Sequence, residues 1–205
     1  MKELIELANQ IKDKNLREKT IKMLQEPSIS NPEIVYPSEK FDKIPAWIGA
    51  HHNYTGGEAE HTASMTKIAI SIAEHFEKVY NAKINKDYLI AGALLHDIMK
   101  VFILKKEGNK WDFTGTTLDH ADFGAAELYA KGFPEEVVHI VASHGGDIGT
   151  AGANPRTLEA LIVYYADVLD AAIESHIRGL PNLQFLIMPK DKESENNDGE
   201  GSKIS

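Results

Sequence analysis

The chain has 205 residues, no cysteine, 42% hydrophobic and 26% charged residues, and a formal net charge of −9. That length and balance fit one globular core and exclude a mainly disordered chain. Without cysteine there are no disulfides or thiolate metal sites, so any metal must sit on His, Asp and Glu.

The sequence predicts helix from Lys2 to Glu26, broken near Asp13 to Leu16, packing on the rest of a single domain over residues 1–188. Pro27, Pro32, Pro37 and Pro45 mark an irregular connection after it. Gly56-Gly57 introduces a long helix, Glu58 to Tyr80, whose apolar positions Met65, Ile68, Ile72, Phe76 and Val79 recur at helical spacing and predict its buried face. A second helix, about Lys86 to Met99, is apolar almost all round (YLIAGALL), as in a buried central helix. Val101 to Leu104 and Trp111 to Thr114 read as the two arms of a β-hairpin. Three more helices follow, about Asp119 to Lys131, Pro134 to His144 and Pro155 to Arg178, with Pro134 and Pro155 in their first turns. The Gly-rich SHGGDIGTAGANP stretch reads as a flexible loop without phosphate-loop spacing, and residues 189–205 as a disordered polar tail. The expected fold is all-α with one small hairpin.

No apolar run is long enough to cross a bilayer and no signal-peptide pattern is visible, so the expected setting is the cytoplasm. The acidic balance disfavours nonspecific grip on nucleic acid, a polyanion that needs Lys and Arg.

The chemistry concentrates in a few residues. His61 heads the apolar stripe of its helix, four residues before Met65. His96-Asp97 ends the central helix, and His144 shares a helix face with Val137 and Val141. Asp167 lies inside ALIVYYADVL, a run that packing should bury, where an unpaired carboxylate costs several kcal/mol. Imidazoles and carboxylates converging from three helices form a hard-to-borderline donor set, suited to Mn, Fe, Mg, Ni or Zn.

The order His61, His96-Asp97, Asp167 resembles the HD superfamily of metal-dependent phosphohydrolases. The flanks HHNYTGGEAEHT, AGALLHDIMK and YYADVLDAA are similar to its first-His segment, central helix and closing helix, especially to the HD module of a bacterial 3′–5′ exoribonuclease family. The resemblance covers roughly residues 10–178 and implies an HD-domain helical bundle. It further implies that His61, His96, Asp97 and Asp167 bind metal. His120 and His144 fall where two-metal members carry extra histidines, with Asp97 bridging; the alternative is that both histidines bond substrate phosphate directly. Met99 stands where the family often has Gly, ahead of a retained Lys100.

Lys100, one turn beyond His96, reads as a phosphate ligand beside Asp97 in catalysis, or as a solvated helix-end lysine. His52 and Tyr54 read as lining the mouth of the site or as plain loop residues. Asp170 reads either as orienting a ligand or as a cap or surface group, and Glu58 as a helix-terminus charge. His51, His75, His139 and His176 read as structural or surface. The expected activity is hydrolysis of a nucleotide or other small phosphate ester by metal-activated water. The alternatives are a 3′–5′ exonuclease on single-stranded ends, against which the charge and the lack of an attached nucleic-acid-binding domain weigh, and a metal or nucleotide module without catalysis.

Overall fold

A computed structural model describes residues 1–145 and 153–180. The elements in chain order are α1 (Lys2–Ala8), α2 (Lys14–Gln25), α3 (Gly57–Tyr80), α4 (Lys86–Leu95), α5 (Lys100–Ile103), β1 (Leu104–Glu107), β2 (Lys110–Phe113), α6 (His120–Ala130), α7 (Glu135–Ser143) and α8 (Leu158–Ile177). The architecture is an all-α bundle with one two-stranded antiparallel hairpin. Among the described residues no helix is long and apolar enough to cross a membrane. The central part of the Gly-rich loop and the polar tail lie outside the described residues.

Helix α4 organises the core. Every residue from Leu89 to Leu95 is buried. Ile90, Ala91, Leu94 and Leu95 pack with α1, α2 and α6, while Leu89 and Ala93 pack with α3, α7 and α8. Its start is fixed by Asn85, whose side chain accepts from the Asp87 and Tyr88 amides. Asp87 in turn accepts from the Lys12 and Asp13 amides at 2.9 and 2.8 Å. That clamp and the Asp13 cap on α2 set the N-terminal break at Asn9–Asp13, slightly earlier than the sequence pattern places it.

Close approach of α4 to α7 requires Gly92, where a Cβ would lie 2.5 Å from Ile140 Cγ2. Gly92→Ala is therefore expected to overpack the core and cost about 1–3 kcal/mol, read as a lowered denaturation midpoint. An unchanged midpoint would show that Ile140 can move aside freely.

Four expectations are corrected. Helix α4 ends at Leu95 rather than Met99, because the chain tightens into i→i+3 bonds, Ile98 to Leu95 at 3.2 Å and Lys100 to Asp97 at 2.9 Å. Met99 has φ −81° and is fully buried, so this turn has no need of glycine. The hairpin is shifted: Val101–Ile103 are helical, and β1 pairs Leu104 with Phe113 around a Gly108-Asn109 turn. Helix α3 buries Glu58, His61, Thr62, Met65, Thr66, Ala69 and Ala73, so of the predicted apolar stripe Met65 is buried, Ile68 and Ile72 are half-buried against the core, and Phe76 and Val79 are not buried. Alanines let α3 approach its neighbours closely, which rotates Phe76 and Val79 outward to 38% and 52% exposure. On α8, Leu161, Tyr165 and Leu169 likewise face solvent, and the helix begins at Leu158 behind a Thr157 cap rather than at Pro155.

Candidate metal centre

The tight turn after α4 has a consequence for the site. Successive residues of a regular helix point about 100° apart, yet here His96 Nε2 and Asp97 Oδ2 lie 3.0 Å apart. Around them gather His61 from α3, His120 from the start of α6, His144 at the end of α7 and Asp167 from α8. His61 Nε2 is 3.0 Å from Asp167 Oδ1, and His96 Nε2 is 3.9 Å from the same oxygen. His120 and His144 present their Nε2 atoms to Asp97 Oδ1 at 3.1 and 3.4 Å. Asp97 thus faces His96 with one oxygen and the His120–His144 pair with the other.

Hydrogen bonds fix which imidazole nitrogen is available. His96 Nδ1 donates to the Ala93 carbonyl (2.8 Å), His144 Nδ1 to the Val141 carbonyl (2.6 Å) and His61 Nδ1 to Asp170 Oδ2 (2.8 Å). In the neutral ring each Nε2 then carries a lone pair, the state a metal ligand needs. His61 Nε2, His96 Nε2 and Asp97 Oδ1 are buried without a hydrogen-bond partner among the described residues. Three overlapping groups meet metal-ligand spacing: His61–His96–Asp97, His96–His144–Asp167 and Asp97–His120–His144. The donor set and its unsatisfied buried atoms fit divalent cations.

Around the donors, Asp170 accepts from His61 and from Ser64 Oγ, so it orients a ring rather than capping or facing solvent. Lys100 is buried instead of solvated. Its ammonium contacts Asp97 Oδ2, lies 3.4 Å from Glu58 Oε2, and sits over the Trp47 ring at 5.4 Å. Glu58 is wholly buried and accepts from Thr62 Oγ1, a role that its position at a helix start did not signal. Asp167 is less buried than its apolar neighbours suggest, at 16% side-chain exposure, which leaves the centre open on that side.

The loop before α3 brings a further group. A Cβ on Gly57 would lie 2.0 Å from the His52 carbonyl oxygen, so glycine is required where the loop crosses the helix start. His52 has φ +46° and donates its amide to Glu174 Oε2 at 2.8 Å. Its ring is buried beside Asp170 and Glu174 rather than at an open mouth. His51, read from sequence as structural or surface, has its ring 4.8 Å from that of His61 and forms a further, fourth potential ligand group with His52 and His61. Tyr54 lies under the Arg178 guanidinium at 4.4 Å.

The electrostatics follow from burial opposed by pairing. Burial alone would push His61 down, but the neighbouring carboxylates of Asp167 and Asp170 outweigh this and lift it to about 10. Burial would raise Asp97, yet His96 and Lys100 hold it well below the carboxylate range. Lys100 is held protonated against its own burial by Asp97 and Glu58. Burial, reinforced by His61, pushes His51 down to about 3 and keeps it neutral.

In the metal-free protein, a proton on His61 therefore does part of a cation's work. Because its folded pKa lies above the ordinary 6.5, that stabilisation is complete below pH 6.5 and is lost as pH rises through about 10. Metal-free protein is expected to melt at progressively lower temperature over this window, while the gain on adding metal widens, since metal and proton compete for His61. A gain independent of pH would mean that His61 is not a ligand.

Comparison with known proteins supports the same assignment. Residues 59–172 match the HD domain family. The chain is 47% identical over 175 residues to a dihydroneopterin 2′,3′-cyclic phosphate phosphodiesterase of Methanocaldococcus jannaschii, covering 84% of this chain and 70% of that one. It is 32% identical over 148 residues to the 3′–5′ exoribonuclease YhaM of Listeria monocytogenes, covering 66% of this chain and 45% of the relative. For YhaM of Bacillus subtilis the figures are 30% over 155 residues, 71% and 48%. The chain spans less than half the length of these exoribonucleases. No solved structure matches. By its match over more than half its length and by the donor geometry of its core, the chain belongs to the HD-domain family of metal-dependent phosphohydrolases.

Proposed function

We propose that the chain is a phosphodiesterase that opens the cyclic phosphate of a small nucleoside-like alcohol at a dinuclear centre. His61, His96, Asp97 and Asp167 would hold one divalent ion, and Asp97, His120 and His144 would hold the second. The observation that carries the reading is Asp97, whose two oxygens face two different histidine groups, as a bridging carboxylate requires. The similarity to a cyclic phosphate phosphodiesterase along most of both chains supports the substrate class.

When bound, the ions would lower the pKa of a water molecule and neutralise charge on the phosphoryl oxygens. The protein's own groups prepare that chemistry. Backbone carbonyls and Asp170 fix the imidazole tautomers. Lys100 keeps Asp97 ionised and fixes its orientation, so it contributes to catalysis as a positioning cation acting through Asp97. His51, neutral and half-buried, lies beside His61 as a hydrogen-bonding group for a phosphoryl oxygen, with His52 and Tyr54 holding its loop. In the overall reaction a water oxygen bonds to phosphorus, one ester P–O bond breaks, and the departing alcohol oxygen takes up a proton, leaving a monoester.

The test is hydrolysis of nucleoside 2′,3′-cyclic phosphates by Mn- or Fe-loaded protein, with 3′–5′ cyclic nucleotides, mononucleotides and short RNA as competitors. Opening of the 2′,3′-cyclic ester, abolished by chelation, is expected. Turnover of RNA ends alone would replace this reading with the exonuclease one, which the net charge of −9 disfavours.

A further inference from the structure

We propose that the cleft beside His120, walled by Trp47 and Phe113, binds the planar nitrogen heterocycle of the substrate; this rests on the phosphodiesterase reading only for what it places next to the heterocycle. The cleft has a volume of about 350 Å³ and is lined by Trp47, Phe113, the Thr116-Thr117-Leu118 segment and Asp119. His120 belongs to both sites: its ring packs at a tilt against Trp47, with centroids 5.9 Å apart, and its Nε2 lies 3.1 Å from Asp97. A heterocycle in the cleft is therefore within one sugar's or side chain's length of the phosphate position.

The walls suit a flat ring. Trp47 and Phe113 are 5.8 Å apart and inclined at 59°, forming an open aromatic corner rather than a closed stack. Phe113 is 44% exposed and Leu118 48%, so the cleft presents an apolar edge that a ligand can reach. Stacking against such rings is the common way proteins hold bases. Asp119 adds an acceptor at the rim: its carboxylate caps α6 through the Ala121 amide and remains 58% exposed, placed to take ring N–H or amino donors. The hairpin follows from this. β1 anchors in the core through Leu104, and the Leu104–Phe113 pairing holds Phe113 beside Trp47.

The experiment compares guanosine 2′,3′-cyclic phosphate with glycerol 1,2-cyclic phosphate, which has the same ring ester and no base. In metal-loaded Phe113→Ala the ratio of their kcat/KM values is expected to fall about tenfold. Phe113→Leu, which keeps the apolar packing but not the ring face, should lower it similarly and covers the case in which alanine unsettles the hairpin. Binding is read separately with guanosine, which has no phosphate. In a Trp111→Phe background, where Trp47 is the only tryptophan, guanosine should quench its emission saturably, and Phe113→Ala should weaken that binding. An unchanged ratio in a folded variant, or quenching that does not depend on Phe113, overturns the proposal. If the protein hydrolyses neither ester, the phosphodiesterase reading fails while guanosine quenching still decides the cleft.

Discussion

Asp97→Asn is expected to leave the purified protein nearly free of metal and to reduce turnover roughly a thousandfold or more. The size follows from the several kcal/mol of charge stabilisation that divalent ions supply to phosphoryl transfer, at 1.36 kcal/mol per factor of ten. Asparagine preserves the volume of the side chain but has one carbonyl oxygen and no charge. It cannot face His96 with one anionic oxygen and the His120–His144 pair with the other, as Asp97 does. The fold should survive, because the segment's anchorage is apolar: Leu94, Leu95, Ile98 and Met99 are all fully buried. Lys100 loses one carboxylate neighbour and keeps Glu58. Elemental analysis with a thermal melt checks both halves of the prediction. Full metal occupancy in a folded Asp97→Asn protein would sink the assignment.

The sequence exposed much of this centre because its donors interrupt apolar patterns. His96-Asp97 follows a run that only a core could accept, and Asp167 interrupts another. What stayed hidden depends on geometry across elements. Glu58 reads as a helix-start charge until Lys100, forty-two positions away, is seen to reach it. His51 is a loop residue by any local criterion, and only the passage of its loop over Gly57 sets it beside His61. The outward face of α3 misled for a related reason. Periodicity identifies an apolar stripe, but beside Met65 the closest packing here uses alanines and threonines, and the buried polar groups Glu58 and His61 share the inner face. The hairpin register could not follow from composition either, since Val101–Ile103 suit a strand intrinsically and are held helical by the tight turn before them.

Replacing His120 and His144 together by alanine is expected to remove one of two ions and lower turnover on the order of 10²- to 10³-fold, the cost of losing one preorganised charge at the reacting oxygens. The geometry motivates two ions directly. The Nε2 atoms of these histidines are 3.2 Å apart and both lie beside Asp97 Oδ1. His144 donates its Nδ1 proton to a backbone carbonyl, so its Nε2 lone pair points at a neighbouring nitrogen and a carboxylate. Such a meeting of acceptors is stable only with a proton or a cation between them. A cation there would be held by Asp97, His120 and His144, with Asp97 also available to an ion at His61, His96 and Asp167, and would supply charge neutralisation to the phosphoryl oxygens. Anomalous diffraction from metal-replete crystals should show two peaks in the natural protein and one in the double variant, the survivor lying by His61. A single peak in the natural protein, distant from both histidines, would instead make His120 and His144 direct donors to the substrate phosphate and reduce the centre to one ion.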